Sequence, residues 1–496
     1  MSDESITLSR LLARVEVLSH TGSLDRTIKA IHFDSRKVGS GDLYVAAPGT
    51  QVDGHIFIEA VIAAGATAIV CERLPEYLAE GVTYVQVANA RLALGLLASA
   101  WYGYPSEQLT LVGVTGTNGK TTTATLLYRL FNRLGHRSGL LSTIRNYAGD
   151  DVVPSTHTTG DALQIASLMA RMVTAGCTHC FMEVTSHAIH QHRIAGLRFQ
   201  GGVFTNLSHD HLDYHGTLEA YRDVKKSWFD SLPISAFALV NGDDPVSSIM
   251  VANTPARCST FGHAADNDFQ FEILRADPAG MQLAIAGQVF STRLVGTFNA
   301  SNLAAVFGTA VLLGVDPTVV ASAIAELDPV EGRMERVDGP VGLTAVVDFA
   351  HTPDALEKAL KTLRQWAPER TLICVVGCGG DRDAEKRPVM GEIAVAYSDR
   401  AIFTSDNPRS EDPEAILDAM AAGVAPDRAS RVEVIPDRRS AILTACGEAE
   451  PGALILIAGK GHEKYQEVAG EKRPFDDVAC AREALNAGIR DSQFLP

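Results

Sequence analysis

Residues 109–122 read L-T-L-V-G-V-T-G-T-N-G-K-T-T, and this stretch decides the fold of the middle of the chain. An apolar run, a glycine turn and Lys-Thr opening a helix is how proteins hold nucleotide phosphates. Successive backbone N–H groups point at the anion, and the glycines let the chain come close. In that geometry Lys120 reaches the β- and γ-phosphates and the Thr121 hydroxyl ligates Mg2+. The residues that follow predict a helix, with Leu126, Leu127, Leu130, Phe131 and Leu134 on one face and Gly135 as its stop. The match to a Walker loop is incomplete: Val114 occupies the first glycine position, so the working pattern is Gly116–Thr122. A chance loop of Gly, Asn and Thr would not be framed by a strand and a helix. ATP binding is the reading.

The 496-residue chain is too long for one ordinary core, and about two to four domains are expected. Hydrophobic residues make up 46% and charged residues 21%, the balance of a soluble globular protein. The net charge is −16, which argues against a general nucleic-acid or membrane-surface binder and makes any phosphate site a local one. The N-terminal M-S-D-E-S-I-T-L-S-R carries no signal-peptide pattern, and the longest apolar stretch, Leu303–Val315, is too short to span a bilayer. Eight cysteines without disulfide-like spacing suit a reducing cytoplasm. Cys177-Thr-His-Cys180 forms C-x-x-C, but no second pair follows at zinc-site spacing, so it reads as strand packing rather than a redox or zinc site.

Three blocks follow one another: residues 1–104, 105–333 and 334–496. The first ends where Y-G-Y-P-S-E interrupts the pattern, and it holds polar loops around one good strand, Leu43–Ala47. The second begins with the phosphate loop and continues through strand-like runs at Cys180–Val184, Gly202–Thr205 and Ala236–Val240, an α/β unit with a largely parallel sheet. The third opens near E-G-R-M-E-R-V (Glu331–Val337). Its strand candidates are Thr344–Phe349, Leu372–Val376, Ala401–Thr404, Val432–Ile435 and Leu454–Ala458, alternating with helices such as Pro413–Ala422. This predicts a second, doubly wound sheet, whose ligands gather at the carboxyl ends of the strands. Those ends carry D-F-A-H-T-P, G-C-G-G-D-R-D, S-D-N-P-R and A-G-K-G-H-E.

In the middle block, M-E-V-T-S-H ends an apolar strand and places Glu183 near the phosphate loop, where a carboxylate holds Mg2+ directly or through water. A surface-facing Glu fits less well, because Phe181, Met182 and Val184 are apolar on both faces. T-N-L-S-H-D-H-L-D-Y-H (Thr205–His215) is rich in histidine without zinc spacing; one imidazole in an oxygen-rich Mg2+ shell and plain polar loop residues both remain open. In H-A-I-H-Q-H (His187–His192) the expected use is hydrogen bonding to an anionic, sugar-like substrate through Gln191 and Arg193. Tyr221–Lys226 lies on a predicted helix, and from these residues alone Lys225 is either a charge clamp or part of a solvated face. G-T-F-N-A-S-N offers Asn299 and Asn302 at i, i+3, to serve adenine or phosphate or to cap the helix.

Taken in order along nearly the whole chain, these motifs resemble those of the Mur ligase family, ATP-dependent amino-acid ligases of cell-wall precursor synthesis. D-S-R, Q-V-D-G-H and T-T-G add to the match in the first two blocks, and G-R-M-E-R-V and D-N-P-R in the third. The D-N-P-R element is similar to that of the diaminopimelate-adding members; lysine-adding ones differ there. The resemblance implies an α/β chain of three domains: a small N-terminal UDP-binding domain, a central P-loop domain with a parallel sheet, and a C-terminal Rossmann-like domain. It implies that ATP phosphorylates the γ-carboxylate of a UDP-N-acetylmuramoyl-L-Ala-D-Glu substrate, after which the diaminopimelate amine displaces phosphate.

By the same resemblance, Gly116, Thr117, Asn118, Gly119, Lys120, Thr121, Thr122, Asn302, Arg333 and His351 serve ATP. Ser35, Gln51, Val52, Asp53, His157, Thr158, Thr159, Thr185, Gln191 and Arg193 serve the UDP-muramoyl dipeptide. Arg382, Asp406, Asn407, Pro408, Arg409, Gly459 and Glu463 serve diaminopimelate. Thr121, Glu183 and His211 are implied Mg2+ ligands, joined by Lys225 as a CO2-derived carbamate; Lys120, Lys225 and His211 are the implied catalytic residues. Physically, the arginines suit carboxylates and Glu463 suits an ammonium. His157 stands where the family commonly has Asn, and Phe349 where Tyr is usual. Small-molecule substrates, no nucleic acid, no membrane and a monomer are expected. A folylpolyglutamate-type ligase, a P-loop switch or motor ATPase and a non-catalytic nucleotide-binding regulator are the competing readings. D-N-P-R and A-G-K-G-H-E oppose the first, the incomplete Walker loop the second, and the retained Lys120, Thr121, Glu183 and Lys225 the third.

Overall fold

The computed structural model describes residues 6–49, 52–155 and 157–492, with side chains described as far as residue 486. Gln51 lies outside the described residues. Three sheets follow in chain order. The first has five strands, in the order Ser19–Thr21, Thr83–Gln86, Ala68–Cys71, Leu43–Ala46 and Ile31–His32. Only Leu43–Ala47 is expected from the sequence, yet Ala68–Cys71 pairs with it in parallel, Thr83–Gln86 pairs in parallel with Ala68–Cys71, and both are almost wholly buried. The helix Ala90–Trp101 packs Leu94 and Leu97 into the same core as Leu43, Val45 and Val70.

The middle sheet has eleven strands. Its centre is parallel, in the order Ser138–Leu141, His179–Glu183, Thr110–Thr115, Gly201–Phe204, Phe237–Asn241 and Arg257–Gly262. The margins are antiparallel: Arg145–Ala148 with Asp151–Pro154 on one side, and Phe269–Asp277, Gly280–Ile285 and Gln288–Thr292 on the other. The phosphate-loop strand therefore sits between His179–Glu183 and Gly201–Phe204, paired in parallel with both. The helix that follows runs Lys120–Arg133, burying Leu126, Leu127, Leu130 and Phe131 against Val112, Val114 and Phe181, and the chain turns away at Gly135. Cys180 is a buried free thiol on a strand and Cys177 a buried one before it, in keeping with a packing role for the C-x-x-C.

The third sheet runs Glu335–Asp338, Thr344–Asp348, Leu454–Ala458, Leu372–Val376, Arg400–Phe403 and Val432–Val434, all parallel except the first. Helices cover both faces, one core gathering round Leu372, Cys374 and Leu456 and the other round Ile373, Val375 and Ile457. A strand buried on both faces reads as a continuous apolar run, which is why Leu372–Val376 and Leu454–Ala458 fall where the sequence places them. Leu456 is fully buried at the middle of this sheet. Leu456→Ala is expected to cost about 2–5 kcal/mol, seen as a lowered thermal midpoint for the C-terminal domain; an unchanged midpoint would contradict the packing described. Among the described residues no helix is long and apolar enough to cross a membrane.

Candidate active site

The middle and third sheets point their carboxyl ends at one another across a cleft of about 930 Å3. On the middle-domain side the phosphate loop turns tightly. Gly119 has φ +86°, and a Cβ there would stand 2.4 Å from Asn302 Oδ1, so only glycine lets the loop lie against that amide. Asn302 Nδ2 donates to Asn299 Oδ1 (2.9 Å), and Asn299 Nδ2 donates to the Val295 carbonyl (2.7 Å). The two amides at i, i+3 are thus bonded to each other and to the chain, with Asn302 presented to the loop. Lys120 Nζ curls back onto the carbonyls of Gly116 (2.9 Å) and Thr117 (2.8 Å). Burial pulls its pKa down, while Glu183 and Asp210 oppose the shift.

Glu183, 1% exposed, accepts from Thr121 Oγ1 (2.9 Å) on one oxygen, and from Thr143 N (2.7 Å) and Thr143 Oγ1 (3.0 Å) on the other. Thr143 is absent from the sequence-derived residues; it lies in a turn whose role shows only once Glu183 is placed beside it. Lys225 is 1% exposed, so the solvated-face reading of it fails. Its helix, Leu218–Asp230, turns Tyr221, Lys225, Trp228 and Phe229 inward together. Among the described residues the ammonium meets only uncharged oxygens, Gly116 O (3.1 Å) and Thr115 Oγ1 (3.4 Å), and the Tyr221 ring (4.4 Å from its centroid). Burial holds its pKa well below the ordinary lysine value, and the neighbouring Lys120 charge adds to this while Asp210 opposes it. Lys226, next in sequence, faces away and pairs with Asp230 (2.6 Å). His211 lies 3.5 Å from Asp210 Oδ2 and edge-on to the His187 ring; burial favours its neutral form.

A second group converges on the same strand ends. Thr159 Oγ1 donates to the Glu183 carbonyl (2.8 Å), and the Thr158 and Thr143 hydroxyls meet at 3.1 Å. Thr185 caps the short helix Ser186–His190. Arg193 is fixed by the Thr159 carbonyl (3.0 Å) and by Gln191 Oε1 (3.0 Å), and Gln191 in turn donates to the Tyr214 hydroxyl (3.0 Å). Thr158, Thr159, Thr185, Arg193 and His157 all line the cleft. Ser35, Val52 and Asp53 do not lie there. They follow the adjacent parallel strands Ile31–His32 and Leu43–Ala46 at the carboxyl edge of the first sheet. Asp53 is tied to His55 (2.6 Å) and Arg73 (2.5 Å). Asn89, of the first domain, meets His192 at 3.2 Å, which joins that domain to the Gln191–Arg193 segment.

From the third domain come Arg382, Arg409, Asp406, Asn407, Gly459 and Glu463, all lining the cleft. Burial and then the nearby Arg409 charge lower the Arg382 pKa, while Asp213, Asp381 and Glu467 oppose the shift. Arg409 adopts φ +53°, and Nη1 donates to the Gly380 carbonyl (2.6 Å). Gly459 has φ +116°, and a Cβ there would come within 2.6 Å of Asp406 Oδ2. Pro408 is buried at the turn between them. Arg333 reaches across from the domain junction, donating to Thr121 Oγ1 (3.0 Å) with its guanidinium on the Phe349 ring. His351 Nδ1 donates to the Phe349 carbonyl (2.8 Å), and burial pushes its imidazole down to about 4. Asp354, not singled out from the sequence, accepts from Asn118 of the phosphate loop (2.9 Å), and Asp383 meets His209 (3.0 Å). These contacts bring the two domains together at the loop itself.

A phosphate loop facing an amino-acid-sized set of paired opposite charges is the build of a nucleotide-driven ligase, and comparison with known proteins agrees. The family model described as "Mur ligase family, catalytic domain" matches residues 27–102, "Mur ligase middle domain" residues 114–310, and "Mur ligase, glutamate ligase domain" residues 332–461. The chain belongs to the Mur ligase family. It is 49% identical over 477 residues to the UDP-N-acetylmuramoyl-L-alanyl-D-glutamate--2,6-diaminopimelate ligase of Cytophaga hutchinsonii, covering 96% of this chain and 98% of that protein. It is 48% identical over 483 residues to the Bacteroides fragilis protein of the same name, covering 97% and 100%. A solved structure of a ligase of that name, 32% identical, superposes with a TM-score of 0.68 over 98% of this chain and 99% of its own.

Proposed function

We propose that this chain is an ATP-dependent ligase that joins meso-2,6-diaminopimelate to UDP-N-acetylmuramoyl-L-Ala-D-Glu in the cytoplasmic synthesis of peptidoglycan precursors. The observation that carries this reading is the cleft. Thr143, Thr159 and His211 line one wall, with Thr143 bonded to the Glu183 carboxylate that also holds Thr121 of the phosphate loop just behind it, and Arg382, Arg409, Asp406 and Glu463 stand on the other. Diaminopimelate has two ammonium groups and two carboxylates, so a pocket with two guanidiniums and two carboxylates matches it. L-Lysine lacks the second carboxylate.

A carboxylate is a poor acyl donor until one of its oxygens becomes a good leaving group. Transfer of the ATP γ-phosphoryl group to the D-Glu γ-carboxylate gives an acyl phosphate and ADP. Attack by the neutral diaminopimelate amine forms a tetrahedral centre, which expels phosphate and leaves an amide, the amine proton passing to solvent or a nearby base. Lys120 and the loop N–H groups hold and neutralise the triphosphate, and Asn302, Arg333 and His351 frame the nucleotide. Thr158, Thr159, Thr185, Gln191 and Arg193 orient the muramoyl dipeptide, and Ser35 with the Val52–Asp53 loop takes its UDP end.

The donors around the loop suit Mg2+: a threonine hydroxyl and a buried carboxylate 2.9 Å apart are hard oxygen ligands. Among the described residues no three His, Cys, Asp or Glu side chains form a ready cage, which accords with an ion that relies on substrate phosphates and water for most of its shell. Thr121, Glu183 and His211 would hold it, and it would supply charge neutralisation at the transferring phosphoryl group. Lys225 completes the set as a carbamate. Its deprotonated amine adds to CO2, forming an N–C bond and releasing a proton, and so replaces a buried cation lacking a carboxylate partner with an anion at the loop.

The test is ADP release with ATP, Mg2+ and the UDP-muramoyl dipeptide, comparing meso-diaminopimelate with L-lysine. Turnover with diaminopimelate alone is expected. Turnover with lysine instead would keep the ligase and discard the pocket; none with either would discard the reaction.

A further inference from the structure

We infer that Lys460 is a positioning residue of the amino-acid pocket, which fixes Glu463 and Asn407 so that one Glu463 oxygen is kept free for the substrate ammonium. This rests on the reading of the cleft given above. Lys460 is fully buried. Its Nζ has three acceptors, Asn407 Oδ1 (2.8 Å), Glu463 Oε2 (3.0 Å) and Asp406 Oδ1 (3.5 Å). An ammonium has three N–H donors, so nothing remains for a ligand, and Lys460 acts through the groups it holds.

The amide of Asn407 is oriented by the same contact. Its Oδ1 also accepts from the Glu467 backbone N–H (2.9 Å), which turns Nδ2 toward Glu463 Oε2 (2.8 Å). Glu463 Oε2 thus takes two donors, while among the described residues Oε1 receives none. Glu463 lines the cleft, so its second oxygen is the one left for a cation there. The arrangement also settles charge. Asp406 and Glu463 would repel each other so close together, and the Lys460 ammonium between them offsets that repulsion in a site that must also hold Arg382 and Arg409. Removing Lys460 frees Glu463 to rotate and leaves two carboxylates facing each other uncompensated.

The experiment is steady-state kinetics of Lys460→Met, Glu463→Gln and the double variant with all three substrates, alongside thermal melting and circular dichroism. Lys460→Met is expected to raise the KM for diaminopimelate by tenfold or more, while those for ATP and the UDP-muramoyl dipeptide stay within twofold. The double variant is expected to be no worse than Glu463→Gln alone, because the lysine acts through that carboxylate. An unchanged KM for diaminopimelate, an equal rise in all three constants, or fully additive effects would overturn the assignment. Lys460→Gln, which keeps a donor without the charge, takes the place of the methionine variant if that one does not fold. Failure of both to fold would also overturn it, by making the lysine a general structural requirement. A wild-type chain inactive with diaminopimelate but active with another amino acid would instead show that the reading of the cleft had failed, and this assignment with it.

Discussion

Lys225→Ala is expected to lower the ligation rate by about 100- to 1,000-fold or more, the scale seen when a preorganised charge is removed from a reacting centre. The side chain is 1% exposed, and among the described residues its ammonium touches only a carbonyl, a hydroxyl and an aromatic face. Such a cation is costly where it stands, and it lies beside a loop that must already hold Lys120. As a carbamate the same side chain would bring two anionic oxygens to the metal end of the site. Two measurements separate this from a simple packing effect. The alanine variant should keep its thermal midpoint within a few degrees and still bind ADP. Wild-type enzyme equilibrated with 13C-bicarbonate should show a carbamate carbon resonance that Lys225→Ala lacks and Lys226→Ala retains. Near-normal turnover in the alanine variant would remove Lys225 from the mechanism; a resonance lost only in Lys226→Ala would move the modification one residue along.

How much of this was readable beforehand depends on how local each signal is. Strands buried on both faces leave a continuous apolar trace, so the third domain and its four polar strand ends are legible as they stand. The first domain is not. Its strands Ala68–Cys71 and Thr83–Gln86 are only four residues each, the second carries the polar Thr83 and Gln86, and both owe their burial to other parts of the chain. The antiparallel margin of the middle sheet did leave a trace: in Phe269–Asp277 the buried Phe269 and Phe271 alternate with exposed Gln270 and Glu272. Lys225 also carries a signal, since Tyr221, Trp228 and Phe229 lie four before, three after and four after it, on its own helix face. The bond from Asn118 to Asp354 leaves none, because it joins residues 236 positions apart across a domain boundary. Polar clusters at strand ends were therefore visible, while a contact such as Asn118–Asp354 became visible only in three dimensions.

Arg409→Ala is expected to cost about 2 kcal/mol or more in amino-acid binding, a rise in the diaminopimelate KM of roughly thirtyfold, with little change in the KM for ATP. The guanidinium is about one quarter exposed and is anchored through Nη1 to the Gly380 carbonyl at 2.6 Å, with Glu467 no nearer than 3.9 Å. One edge is thus fixed by the protein, and the rest of the fork remains for a carboxylate. The backbone complicates the alanine variant, since φ is +53° and the residue bonds through its N–H to Glu467 O and through its carbonyl to Ala469 N. Arg409→Lys separates the two effects: it keeps the charge and the same kind of backbone strain but cannot present two parallel N–H donors. If the fork recognises the distal carboxylate, lysine should recover only a small part of the lost affinity, and discrimination against L-lysine as a substrate should narrow in both variants. An unchanged KM for diaminopimelate in Arg409→Lys would mean that charge alone suffices there, and an unchanged value in Arg409→Ala would take the residue out of the pocket.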